Sequence, residues 1–352
     1  MIKAEVIADS MGPFGDRLTT MVVTFPRIIL SEFNTHRLFS RNSASSRAVP
    51  FEKMVRMVQE NPFIPIAWQK EHKGMQGTEY ITDLETIEAL KANHINSSLT
   101  AISNATYANI KGATKQICNR YLEPFMWHTA IVTATHWDNF WELRCPQYVI
   151  GDRVYRSRNE AIWKEKDLSV GLAMNTDLDW LQLNKGQAEI HMMALAEAIW
   201  DAINGSIPKE LKPYEWHIPF GDRIDERKII ETFDKINSFA AIIMKSDDVR
   251  RAKLEIATAR CARISYFNYE GTDDYEKDFK LFKQLKDSRH MSPFEHCAQV
   301  MSEGQYKGAL CDVKFRGSDD KGNALYEDGW SANFRGFTQL RFFLEQQNFL
   351  YL

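Results

Sequence analysis

The sequence predicts an α+β fold, and three observations predict it. Two strand-like runs, Lys3–Ala8 and Thr19–Phe25, flank a turn at Gly12-Pro13-Phe14-Gly15. The stretches Asp83–Tyr121 and Gln187–Ile203 place apolar residues at three- and four-residue spacing and read as helices. With 352 residues, 44% of them hydrophobic and 12% aromatic, the chain can bury a large core in one big domain or two.

Each element follows in order. Pro26 closes the second strand, and Ile28–Arg37 reads as a short helix leading into a polar loop. Pro50 precedes Phe51–Glu60, whose Phe51, Met54, Val55 and Val58 fit helical spacing. Gly74-Met75-Gln76-Gly77 sits in a polar loop, and the long helical region that follows breaks near Gly112 and stops at Pro124. Thr129–Thr135 is β-rich or a turn into the next element, and Trp137–Arg144 is a short aromatic helix. Residues 145–185 have mixed charge and weak periodicity and read as an insertion. In the helix Gln187–Ile203 the apolar stripe is Ile190, Met193, Ala194, Ala198 and Trp200, stopped by Asn204-Gly205. Ile207–Asp225, with three prolines, reads as a connector, and Glu226–Lys245 and Asp247–Thr258 as helices. A different module then opens, with a strand at Arg263–Tyr266, a helix at Asp274–Lys286 and a loop at Ser288–His296. A Trp- and Phe-rich helix, Tyr326–Leu352, closes the chain. The expected parts are 1–204 for binding and catalysis, 205–255 as a helical connector, and 256–352 completing the fold.

The chemistry concentrates in Thr35–Arg47. This run holds three guanidiniums (Arg37, Arg41, Arg47), four serines (Ser40, Ser43, Ser45, Ser46), Asn42 and His36. No apolar face can be built from it. Arginine offers a planar fork of donors suited to phosphate, and serine hydroxyls add short donors. Asn42 is both donor and acceptor and can read an amide-like ring edge. The run suits a phosphorylated heterocycle.

Lys+Arg 44 against Asp+Glu 47 gives a net charge of −3, which argues against a nucleic-acid coat or a membrane-surface binder. The five cysteines form no C-x-x-C pair and read as reduced thiols. The first residues lack a signal-peptide profile, and no apolar run reaches transmembrane length. A cytoplasmic location is expected.

The run also resembles the signature of the flavin-dependent thymidylate synthases, R-H-R-x-x-S-x-N-x-x-S-x-R-Y. His36, Arg37, Ser40, Asn42, Ser45 and Arg47 fall in register with it, while Thr35 and Ala48 depart from it. Asp138–Arg144 is similar to the family segment that ends in its catalytic arginine, although Thr133-Ala134-Thr135 replaces the family's opening N-A-R. Gln187-Ala188-Glu189-Ile190-His191 matches Q-x-E-I-R except at the last position, and His290–His296 matches H-x-S-P-F-E-H. In the family the last of these loops precedes the first signature. Here it follows, as do Ala262–Tyr266 and Asn333–Arg341, which implies a circularly permuted arrangement.

The resemblance implies an α+β fold with a central, mostly antiparallel sheet flanked by helices, with helical insertions. It implies Arg144 as the catalytic residue. Ser43, Ala44, Ser45, Ser46, Arg47 and Arg120 would bind nucleotide, and His36, Arg37, Asn139, His290 and Ser292 would hold FAD. NADPH and methylenetetrahydrofolate would be co-substrates, dUMP the acceptor and dTMP the product. Members are homotetramers with shared active sites. Taken alone, Arg144 reads better as a surface arginine complementing a helix C-terminus, and only the series of signatures favours the catalytic role. His290, Glu295 and His296 could suggest zinc, but Pro293 breaks their register and no metal is expected. The departures at Thr35 and Ala48, and Ser43 where many members carry an acidic or amide residue, keep open a hydroxymethyl product or a dCMP acceptor for modified DNA. The missing N-A-R keeps open a non-catalytic nucleotide-binding homologue.

Overall fold

The computed structural model describes residues 1–74, 77–165, 176–236, 246–266, 274–308, 312–318 and 324–345. Strands β1 (Lys3–Met11) and β2 (Arg17–Pro26) form the expected hairpin, longer at both inner ends. A 3-10 turn at Arg27–Ile29 and helix α1 (Leu30–Phe33) replace the longer helix expected at 28–37. Next come β3 (Ser40–Ser43), α2 (Phe51–Glu60), α3 (Leu84–Ile110) and α4 (Lys115–Cys118). The Asp83 carboxylate caps α3 by accepting from Thr86 N–H, which satisfies one of its open N-terminal donors. A 3-10 turn at Asn119–Phe125 leads into β4 (Trp127–Ala134) and α5 (Asp138–Arg144).

The stretch read as an insertion has its own structure among the described residues. It holds a hairpin of β5 (Tyr148–Ile150) and β6 (Arg153–Tyr155), then α6 (Arg158–Glu165) and α7 (Asp177–Leu183). Glu197 anchors it: its carboxylate accepts from Tyr148 Oη at 3.1 Å and from Arg158 Nε at 3.0 Å. That glutamate lies on α8 (Ile190–Asn204). Then follow β7 (Lys209–Glu210), β8 (Trp216–His217), α9 (Glu226–Ile236), α10 (Ser246–Arg263) and α11 (Tyr275–Asp287). The chain continues through a 3-10 turn at Ser292–Glu295, β9 (Ala298–Val300) and α12 (Glu303–Tyr306). β10 (Asp312–Ser318), β11 (Ala324–Ser331), β12 (Phe334–Arg335), β13 (Phe337–Gln339) and α13 (Leu340–Glu345) complete it.

The main sheet runs β3-β4-β2-β1-β7 and is antiparallel except where β7 joins β1. The α+β class with a central, mostly antiparallel sheet is therefore the observed one. Side chains alternate across the sheet and bury both faces. Met21, Val23, Ala130 and Val132 pack on α8 through Met192, Leu195 and Ile199. Val22 and Ile131 point the other way, onto Cys261, Ile264 and Phe220. Each fully buried aliphatic side chain contributes roughly 1.5–3 kcal/mol. The sheet is thus held between α8 and the C-terminal module.

A buried polar chain ties the two halves. His217 Nδ1 lies 2.8 Å from Ser10 Oγ, and its Nε2 lies 2.7 Å from Thr20 Oγ1. Thr20 Oγ1 is 2.7 Å from Thr133 Oγ1, which is 2.8 Å from His296 Nδ1. The chain joins β1, β2 and β4 to a second sheet, β13-β9-β8, and to the turn before β9.

Four expectations are corrected. The polar loop contains a strand, β3, paired to β4 from Ser40↔Thr133 to Ser43↔Ala130. Arg263–Tyr266 is the end of α10 and a 3-10 turn, because Arg263 forms an ion pair with buried Asp278 of α11 and holds the helix to its last residue. The connector 207–225 supplies β7 and β8. The closing segment is three strands and a short helix, since Gly329 and Gly336 adopt φ of 85° and 73°, which no helix continues through. Residues 346–352 of that expected helix, and 237–245 of the one after Glu226, lie outside the described residues. Among the described residues no helix is long and apolar enough to cross a membrane.

Candidate active site

The polar run divides into two regions, one before β3 and one after it. Before β3, the turn following α1 buries His36, which is 6% exposed. Its ring stacks on Phe39 at 5.6 Å and meets Phe140 edge-on at 4.8 Å. Phe140 is the buried residue of α5, so the same helix that packs against His36 also delivers Arg144 from its last turn. Arg144 Nε donates to His36 Nε2 at 3.2 Å, and its Nη1 pairs with Glu32 Oε2 at 3.2 Å. An accepting Nε2 makes His36 the neutral Nδ1–H tautomer. Burial, then the charges of Arg144 and Arg41, hold its pKa down to about 4. Burial raises the Glu32 carboxyl above its ordinary value, with Arg144 opposing and Glu189 adding to the rise. Glu189 itself caps α8 by accepting from His191 and Met192 N–H.

The C-terminal signatures converge on β3. The Ser292–Glu295 turn packs against β3, α10 and α13. Glu295 Oε1 accepts from Arg341 Nη1 at 2.6 Å, and its charge acts on Arg41. Arg41 Nη1 donates to the carbonyls of Phe33 and His36, both at 3.1 Å. Ser40 Oγ accepts from Asn333 Nδ2 at 2.9 Å and Gln339 Nε2 at 3.0 Å. Asn42 Nδ2 donates to Cys261 O at 3.5 Å, so this amide braces α10. Ser265 Oγ donates to Ser43 O at 3.4 Å.

After β3 the run opens to solvent. Arg47 and Arg120 are exposed, and Arg47 Nε donates to Gln116 Oε1 at 3.2 Å. Ala44 is buried, with its N–H on Thr129 O at 2.8 Å, and Ser45 N–H lies 3.4 Å from Ser265 O. Ser46 Oγ donates to Glu123 Oε1 at 2.7 Å. The same oxygen lies 3.1 Å from Arg27 Nη2 and 3.8 Å from Arg120 Nη1. Arg144 and Arg47 share no partner among the described residues.

The structure therefore unites His36 with Arg144, across 108 residues. It brings the Ser292–Glu295 turn to β3 and links Ser46 to Arg120 through Glu123. Arg37, Asn139 and His290 are exposed, Ser292 is half-buried, and these four make no side-chain hydrogen bond among the described residues. These are cationic, amide, imidazole and hydroxyl groups left open to a ligand. His36 differs from them, being enclosed by aromatic rings and engaged with Arg144. Sequence reasoning missed Glu32, Arg27 and Glu123. Only Glu123 left a signal, its spacing of three from Arg120 in a helical stretch. Among the described residues no group of three or more His, Cys, Asp or Glu is placed to hold a metal.

No family model and no curated protein matches the chain. Solved structures similar to it include two of one enzyme. One is a UMP/dUMP methylase PolB from Streptomyces cacaoi bound with 5-Br dUMP, at 12% identity and a TM-score of 0.35, covering 51% of this chain and 93% of that one. The other is the UMP/dUMP methylase PolB from Streptomyces cacaoi bound with 5-Br UMP, at 13% identity and a TM-score of 0.36, covering 53% and 97%. Likenesses at this level leave the chemistry to the residues themselves.

Proposed function

We propose that the chain is a flavin-dependent enzyme that transfers a one-carbon unit from methylenetetrahydrofolate to C5 of dUMP, giving dTMP. One observation carries this reading: Arg144 and His36, from two separate signatures, meet in a half-buried pair. Bound FAD, reduced by NADPH, would supply the hydride. Arg37, Asn139, His290 and Ser292 are the residues open to hold it.

The rest is the work of this chain's own groups. Uracil C5 becomes nucleophilic when negative charge gathers at the O2/N3 edge, and a fixed cation there lowers the barrier. Arg144 is that cation. Glu32 and His36 hold its fork, and the neutral state of His36 avoids placing a second positive charge beside it. Arg47, Arg120 and the 43–46 segment would take ribose and phosphate. Members of the family the chain resembles are tetramers with shared active sites, so a complete site would combine residues from different subunits.

The test is a visible spectrum of the purified protein with and without dUMP. Flavin bands that shift on adding dUMP support the reading, and a colourless protein that takes up no FAD removes it. Mass spectrometry of products from dUMP and dCMP then decides the acceptor and whether the added group is methyl or hydroxymethyl.

A further inference from the structure

Arg27 belongs to none of the recognised signatures, yet it is held as a ligand-binding arginine would be. Its side chain is only 17% exposed. From the buried side, its Nη1 donates to His128 Nδ1 at 3.0 Å. His128 is buried, and burial followed by the Arg27 charge pushes its pKa down to about 3, so the ring is a neutral acceptor. That leaves Nη2 directed at Glu123 Oε1, 3.1 Å away. The same carboxylate oxygen collects the Ser46 hydroxyl at 2.7 Å and faces Arg120 at 3.8 Å. A depression of about 410 Å³ opens beside Arg27 and Glu123, lined also by Leu30 and Asn34, while Ser46 and Arg120 lie outside its lining.

Two guanidiniums and a hydroxyl converging on one oxygen is the donor pattern a phosphate recruits. We infer that Arg27, Ser46 and Arg120 form an anion site for a phosphate monoester, and that the Glu123 carboxylate holds the phosphate's place until the ligand arrives. The inference rests on the reading above for its nucleotide but not for its anion. Glu123 is part-exposed and sits on a 3-10 turn, so its side chain can swing to solvent when a dianion takes its donors. Arg27 cannot swing with it, because His128 fixes the guanidinium from behind.

The sign of one substitution separates this from a plain structural brace. Glu123→Gln removes a negative charge from the corner and keeps the shape. Titration calorimetry with dUMP and with inorganic phosphate should show about tenfold tighter binding of both in Glu123→Gln. Arg27→Met should lose about tenfold or more. Equal or weaker affinity in a folded Glu123→Gln protein overturns the place-holder. If that variant fails to fold, unchanged affinity in Arg27→Met overturns the site alone. If inorganic phosphate binds and responds to both substitutions but dUMP binds no better than phosphate, the anion site stands and the nucleotide reading falls. If neither compound binds any form, both fall.

Discussion

The two ends of the Thr35–Arg47 run differ as much as any two regions of the protein. One end is enclosed: His36 is ringed by Phe39 and Phe140 and engaged by Arg144. The other is open, with Arg47 and Arg120 exposed and lightly held. Four residues of strand separate them. The difference teaches that a polar motif need not be one site. A buried charge must be fully partnered, so the enclosed end fixes geometry and suits chemistry. An exposed cation keeps its freedom and suits recruitment of an anion.

The largest expected effect breaks the comparison at its enclosed end. Arg144→Ala should cut turnover about 10²–10³-fold while flavin absorbance stays. Retained turnover would remove the assigned role. Next in size is acid sensitivity. His36 has its pKa held down to about 4, and His128, His217 and His296 to about 3, in each case chiefly by burial. Unfolded, these rings titrate near 6.5 and take up protons that the folded state refuses. Stability is therefore full above about pH 6.5 and falls with acid toward pH 3–4, by about 1.4 kcal/mol per pH unit per histidine. Denaturant midpoints at pH 7 and pH 5 read it directly. A flat profile would mean that the rings are not neutral in the fold.

Smaller effects sharpen the open end. Arg47→Ala should weaken dUMP binding by about tenfold with the melting temperature nearly unchanged, since exposed substitutions usually shift stability by less than about 0.5 kcal/mol. Unchanged affinity by calorimetry would count against its phosphate role. The contrast with a core substitution calibrates this: Leu195→Ala, fully buried against the sheet, should cost about 2–5 kcal/mol.

Much of the architecture was legible wherever local pattern and tertiary demand agree. The β1–β2 hairpin and α2, α3, α5, α8 and α11 fall near their expected places because their periodicity matches the face they bury. The errors came where long-range contacts override propensity. Arg263 is drawn into a helix by Asp278, and β3 exists only because β4 offers it a partner. Of the site, residue types marked the serine–arginine run with His36, and only the family resemblance singled out Arg144. Glu32, Arg27 and Glu123 left little trace, because a lone carboxylate beside an arginine is common on any surface.

By itself, the sequence determined the class of fold, the helices with strong apolar stripes, and the concentration of phosphate-suited donors between Thr35 and Arg47. Only the tertiary structure decided that these donors divide around a strand. It alone paired Arg144 with His36, folded the C-terminal segments back onto β3, and drew Arg27, Ser46 and Arg120 onto one carboxylate. The physical reason is reach. Propensity and periodicity act over a few residues, whereas hydrogen-bond partners and burial are set between segments that meet only once the chain has packed.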